Sequence, residues 1–223
     1  DPDADAGLVS LGSLFYEPVW VFYREDAAQR LMGDARPGML GQLAPFRLNV
    51  GAEGSGVAVL MEKLFDANRL APAQLHLVRL SQTPAVVALL DGTIDAMAFV
   101  SAPESPMVQM LLQTPGIGLM HFAQAEAYTR RFPFMSVVTL PRGVIDLAHD
   151  QPPDDVHLVA PTGTLVAREG THPALVQLFV QAAQEVHGGA AWFNDKGHFP
   201  NGRTTELPLD YMVLDKESGA NAA

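Results

Sequence analysis

Glu53-Gly54-Ser55-Gly56 is the segment of this sequence best suited to hold a small anion. Two glycines flank a serine, and Val57, Leu60, Met61, Leu64 and Phe65 follow at helical spacing, so the segment reads as a strand-to-helix turn after Phe46–Val50. The first N–H groups of a helix have no i to i−4 acceptor and lie at the positive end of its dipole, where a carboxylate or phosphate can bind. The plainer reading, which spacing alone favours, is a tight turn with Ser55 as helix N-cap. Neither G-x-x-x-x-G-K-[ST] nor G-x-G-x-x-G is matched, and no Lys follows the second glycine, so nucleotide binding is not supported.

Ser101 and Glu104 follow the apolar run Ile94–Val100, where ligands gather beyond the carboxyl ends of strands in an open α/β sheet. A helix cap at Ser101 is equally economical. Tyr16 and Glu17 stand at the entry to an aromatic strand, where a cleft would open, while Phe15, Trp20, Phe22 and Tyr23 are explained as core. No histidine pair has the i, i+4 spacing of a helical metal site, and Gly54-Ser55-Gly56 lacks the spacing of a nucleophile elbow. Asp154-Asp155 sits in a proline-rich loop and is most simply solvated. The expectation is therefore no catalytic residue, no metal and no cofactor. An enzyme with Glu17 or Glu104 as general base would lack a nucleophile or metal partner.

These residues must be positioned by an α/β scaffold. The 223 residues are 48% hydrophobic and 17% charged, with mean hydropathy +0.11, which suits a packed core. A net charge of −11 disfavours nucleic acid, whose affinity rests on cationic side chains. With no cysteine, disulfides and thiolate chemistry are excluded. No run is long and apolar enough for a membrane span, and no signal peptide opens the chain; a precursor cut before Asp1 is expected. Strand and helix patterns alternate through Phe46–Val50, Val57–Asn68, Leu75–Leu80, the helix ending near Leu90, and Ile94–Val100, which predicts parallel strands joined by crossover helices. Two long apolar strands, Val19–Arg24 and Leu158–Arg168, the latter within the apolar run Val156–Arg168, bracket this block, and the continuous apolarity of Leu14–Arg24 implies burial on both faces. The expected division is residues 1–25 as hinge strand and part of a first lobe, 26–150 as a complete second lobe, 151–215 as return strand and remainder of the first, and 216–223 as a tail.

Four segments in order, Leu11-Gly12-Ser13-Leu14-Phe15-Tyr16-Glu17-Pro18, Val50-Gly51-Ala52-Glu53-Gly54-Ser55-Gly56, Leu90-Asp91-Gly92-Thr93-Ile94-Asp95-Ala96 and Thr139-Leu140-Pro141-Arg142-Gly143, resemble the solute receptors of TAXI-type TRAP transporters. The resemblance implies a type II periplasmic-binding-protein fold in which two α/β lobes close around a small organic-acid or amino-acid-like solute. It implies a periplasmic receptor, membrane-anchored if the full-length protein continues into a membrane segment, that serves TRAP membrane subunits; a ligand-sensing regulatory domain of the same fold is the alternative. The ligand shell expected on this basis is Tyr16, Glu17, Glu53, Gly54, Ser55, Gly56, Val57, Ser101, Glu104 and Arg142. Arg142 would either balance the charge of Glu53 or grip the carboxylate directly, and Glu104 would meet an amine. Val57 stands where the family tends to have Thr, which removes one hydroxyl. The family usually has a further segment ahead of Leu11, so an incomplete first lobe, with a homodimer covering its apolar surface, is also expected.

Overall fold

The computed structural model describes residues 7–33 and 36–202; the expected tail at 216–223 and the opening residues 1–6 lie outside them. The described residues form two compact units, one within 18–125 and 139–159, the other within 7–17, 126–138 and 160–202.

The larger unit is built on a five-stranded sheet. Its strands are β2 (Val19–Arg24), β3 (Arg47–Asn49), β4 (His76–Val78), β5 (Ala96–Val100) and β6 (Ile117–Leu119), in the spatial order β4-β3-β5-β2-β6. β3 pairs in parallel with β4 and β5, whereas β2 runs antiparallel to both β5 and β6. The crossover helices are α2 (Gly56–Ala67) between β3 and β4, α3 (Gln82–Asp91) between β4 and β5, and α4 (Pro106–Leu112) between β5 and β6. Parallel neighbours require such crossovers, and the expected βα alternation is the one observed. Val19–Tyr23 are all buried, as the continuous apolarity of β2 implies, with Trp20, Phe22 and Phe99 stacked at 6.1 and 5.8 Å between successive ring centroids. The helix α1 (Glu25–Met32), which the sequence pattern did not reveal, turns Ala27 and Ala28 inward.

One carboxylate ties the start of the sheet together. Asp95 Oδ2 accepts from Arg47 N–H and Nε, both at 2.9 Å, while Oδ1 accepts from Arg47 Nη2 at 2.8 Å and Arg30 Nη2 at 3.0 Å. The bidentate fork joins β3 to the residue before β5, and Arg30 brings α1 to the same point. Arg24 Nη1 donates to the carbonyls of Leu89 and Leu90 at the end of α3, where Gly92 adopts φ 83° at the C-cap.

In the smaller unit β1 (Leu8–Tyr16) pairs antiparallel with β9 (Thr162–Arg168). Register shifts fall between Ser10 and Gly12 and between Ser13 and Phe15. α6 (Pro173–His187) covers this ribbon through Val176 and Val180, which pack on Leu11, Leu165 and Ala167. The short helix α5 (Ala125–Arg131) precedes β7 (Ser136–Leu140), which pairs with β8 (Val156–Ala160); the chain passes between units within each of these two strands.

Several expected boundaries differ. Val156–Arg168 is two strands broken at Pro161, which lacks the N–H a continuous ladder needs; its carbonyl accepts from Glu17 N–H at 2.9 Å. β9 is mostly half-buried, paired with β1 and packed against α6. The aromatic run Leu14–Arg24 likewise divides at Glu17-Pro18, and β2 belongs to the larger unit because β5 and β6 flank it, not to a first lobe of residues 1–25.

Asp95→Asn is expected to cost about 2–4 kcal/mol in urea denaturation, because it weakens a buried charge-assisted cluster while leaving Arg47 in place. The hydrogen bonds from Arg47, with its charge and that of Arg30, hold the Asp95 carboxyl below the usual carboxylate range despite burial. Its contribution is thus fully present above the ordinary aspartate pKa of about 3.9 and disappears as pH falls through the lower folded value, so the variant should show a flatter loss of stability in acid.

Candidate functional site

The carboxyl ends of β3 and β5 are neighbours because the strands pair in parallel register, Leu48 with Ala96 and Asn49 with Met97. The chain leaving β3 therefore turns beside the chain leaving β5. The first forms the Val50–Ser55 turn and the second the Ser101–Ser105 loop, the edge of an open α/β sheet at which ligands collect.

The turn is held by sterics as much as by hydrogen bonds. Gly51 has φ 85°, and a Cβ there would stand 2.3 Å from Val57 Cγ1 and 2.9 Å from Ser55 Oγ. Only glycine satisfies both conditions. Gly54 also has a positive φ of 74°, and Ser55 N–H donates to the Ala52 carbonyl at 3.1 Å. Ser55 is the N-cap of α2: its hydroxyl oxygen accepts from Ala58 N–H at 3.3 Å, as the plainer sequence reading has it. The N–H groups of Gly56 and Val57 have no protein acceptor among the described residues, and the Ser55 hydroxyl still has its proton to give. Glu53 is exposed.

Around Ser101 the structure is equally local. Trp20 Nε1 donates to the Ser101 carbonyl at 2.8 Å, which ties the start of β2 to the end of β5. Gln109 Nε2 donates to the Pro103 carbonyl at 2.7 Å, closing the loop over α4, and Glu104 is exposed. Asn49, which the sequence reading passed over, is buried and clamps the neighbouring loop: Leu80 N–H donates to its Oδ1 at 2.7 Å and its Nδ2 donates to the Leu80 carbonyl at 3.2 Å. A polar residue closing an apolar strand was the available signal. Gly51 was within the recognised motif yet outside the expected ligand shell, although it shapes the turn most directly.

Arg142 is engaged elsewhere. Its Nε and Nη2 donate to the two carboxylate oxygens of Asp150, and its backbone N–H donates to Asp155 Oδ1 at 2.7 Å. The guanidinium latches the loop between β7 and β8, and its hydrogen bonds among the described residues stay within that loop. Tyr16 and Glu17 belong to the smaller unit. There the Tyr16 hydroxyl lies 2.9 Å from His198 Nε2, with Phe199 edge-on to its ring, and burial pushes the Glu17 carboxyl above the usual carboxylate range. Among the described residues no group of three or more His, Asp or Glu is arranged to hold a metal ion.

A family model described as the NMT1-like family matches residues 17–187, a span containing β2 to α6 and every candidate residue except Tyr16. The chain belongs to the NMT1-like family. Comparison with curated proteins gave no match. Among solved structures, the NMT1-like chain is similar to an ancestral arginine-binding protein bound to arginine, with 12% identity over 83% of this chain and 61% of that one and a TM-score of 0.47. It is also similar to an ABC transporter periplasmic binding protein from Brucella ovis with glutathione bound, at 15% identity, 82% and 43% coverage and TM-score 0.47. The effector-binding domain of QuiR in complex with shikimate matches at 10% identity, 83% and 68% coverage and TM-score 0.48. The NMT1-like chain thus spans less than two thirds of the length of the first two. The α/β class expected from the sequence is the one observed, and the neighbours are periplasmic-binding-protein-like domains.

Gly51→Ala should destabilise the larger unit by about 2–4 kcal/mol, combining strain at positive φ with overpacking against Val57. Chemical denaturation measures the loss, and Val57→Ala introduced with it should restore part of the stability by clearing the nearest carbon.

Proposed function

We propose that this chain is a solute-binding domain without catalysis, and that it captures a small carboxylate-bearing solute at the Ser55–Val57 turn. The observation that carries the reading is the pair of backbone N–H groups at Gly56 and Val57, which have no protein acceptor among the described residues, next to the Ser55 hydroxyl, whose oxygen caps Ala58 N–H and whose proton has no acceptor among the described residues. Glu53, Gly54, Ser101 and Glu104 line the same sheet edge in this proposal, Glu104 being suited to an amine on the solute. Tyr16 and Glu17 remain proposed ligand residues of the smaller unit, and the two units are proposed as the two lobes. Arg142 is given no ligand role here, since gripping a solute would require it to release Asp150.

The finer proposal is an extracytoplasmic receptor serving TRAP-type membrane subunits. It rests on the four TAXI-like segments of the sequence, two of which now have structural parts: Asp95 of the third clamps the sheet, and Ser55 of the second caps α2. Among the described residues no helix is long and apolar enough to cross a membrane.

Native mass spectrometry of freshly purified protein, followed by thermal-shift screening of amino acids and small mono- and dicarboxylates, tests the reading. A retained mass or a saturable shift is expected, and Ser55→Leu should abolish it while His149→Ala leaves it unchanged. Equal affinity in the Ser55→Leu protein would return the turn to a plain helix cap.

Association with a second copy is proposed from α6. Beside its buried Val176, Val180 and Ala183, it exposes Leu175, Leu178, Phe179 and Val186 by 50% to 73%. Sedimentation velocity should show concentration-dependent association that the Leu178→Glu, Phe179→Glu double variant removes.

A further inference from the structure

β6 is the edge strand of the five-stranded sheet, separated from β3 and its glycine turn by β2 and β5. Its inner side is defined by bonds to β2: Met120 N–H donates to the Val21 carbonyl and Glu25 N–H to the Gly116 carbonyl, both at 2.9 Å. With Phe22 opposite Leu119, Tyr23 opposite Gly118 and Arg24 opposite Ile117, the alternation of an antiparallel pair directs residues 116, 118 and 120 inward. Ile117 and Leu119 therefore aim their main-chain groups outward. Ile117 N–H is taken by the Thr114 carbonyl. The Ile117 carbonyl and both main-chain groups of Leu119 have no protein partner among the described residues.

Unpaired edges are commonly covered or charged. This one borders a cavity of about 660 Å³ within the larger unit, a volume in the range of ligand sites. Phe22, Tyr23, Leu119, Leu140, Ile145 and Val156 supply apolar wall. Gly118 keeps the strand narrow there, since a Cβ would stand 2.4 Å from Tyr23 Cζ. The charged groups on the wall are Glu25, Asp154 and Asp155 against Arg36. His121 adds no positive charge at neutral pH, because burial and the neighbouring His157 hold its imidazole below the ordinary range. An apolar trough, an unpaired strand edge and an acidic rim call for an occupant with its own main-chain amides, apolar side chains and positive charge.

We propose that the outer edge of β6 and this cavity bind an extended peptide segment carrying apolar and basic side chains, taken up as an added strand. Leu119 supplies one main-chain donor and one acceptor, and Ile117 a second acceptor; at about 3.3 Å per residue the paired core is about three residues long. Alternate side chains of the peptide enter the apolar trough, while flanking Lys or Arg residues meet Glu25 and Asp154. This site is independent of the proposed solute site, with which it shares no residue.

Fluorescence polarisation with a labelled acetyl-Lys-Val-Ser-Val-Lys-amide peptide tests it. Saturable binding is expected, with at least tenfold weaker binding of the Glu-Val-Ser-Val-Glu counterpart. Leu119→Pro should weaken binding at least tenfold, because it deletes an N–H that the protein itself does not use, in an edge strand that tolerates proline. Circular dichroism and a thermal melt establish that this variant is folded; if it is not, the wild-type protein is titrated with a series of peptides N-methylated at each amide in turn, of which at least one should lose tenfold. Glu25→Gln with Asp154→Asn should weaken binding and flatten its salt dependence. The proposal is overturned if the basic peptide does not bind, if a folded Leu119→Pro protein binds it unchanged, if no N-methylated peptide is weakened, or if cadaverine displaces it at equal concentration, which would make the site a simple amine pocket.

Discussion

The Asp95 carboxylate is the interaction on which the larger unit depends. It sits where β3 and β5 begin, is almost wholly buried, and receives four N–H groups from Arg47 and Arg30. Its main chain continues the same junction, with Arg24 N–H donating to its carbonyl and its own N–H donating to the Arg47 carbonyl. A charge so far from water is tolerable only with its hydrogen-bonding positions filled by cations. Because a one-residue slip of β3 against β5 would break the Arg47 fork and turn every side chain to the opposite face, the cluster fixes register. Register in turn decides that the Val50–Ser55 turn and the Ser101–Ser105 loop leave the sheet side by side.

From this anchored start the sheet offers two chemically different edges. Beside the carboxyl ends of β3 and β5, the Gly56 and Val57 N–H groups, without a protein acceptor among the described residues, stand next to the Ser55 hydroxyl. Along β6, main-chain groups of Ile117 and Leu119 without a partner among the described residues border an apolar trough with an acidic rim. The reversed strand β2 is responsible for the separation, since it inserts between β5 and β6 and brings Tyr23 and Glu25 to the trough while Trp20 serves the Ser101 end. In the proposed solute site, a chain of net charge −11 would receive an anion by backbone rather than by lysine or arginine.

Family membership over residues 17–187 and the mixed α/β architecture agree in what kind of molecule this is, while the chemistry of the turn gives the proposal its direction. Arg142 illustrates how a plausible residue type can be diverted. It follows a strand and lies in a motif, yet Asp150 takes both arms of its guanidinium, and that pairing holds the Asp150 carboxyl low and keeps the guanidinium engaged.

Local patterns in the sequence were enough to specify the elements that carry their own signals. The β3-turn-α2 unit, the Gly92 C-cap and the burial of Val19–Tyr23 follow from glycine's access to positive φ, helical spacing and unbroken apolarity, all of which act over a few residues. Ser55 as N-cap was legible for the same reason. What depends on partners distant in the chain was not legible. The break at Pro161, the assignment of β2 to the larger unit and the pairing of Arg142 with Asp150 each require knowing which strand or loop lies alongside. The same holds for the buried Asn49 clamp on Leu80 and for the outward main-chain groups of Leu119, since hydrogen-bond partners and strand edges are properties of tertiary pairing that no local run of residues contains.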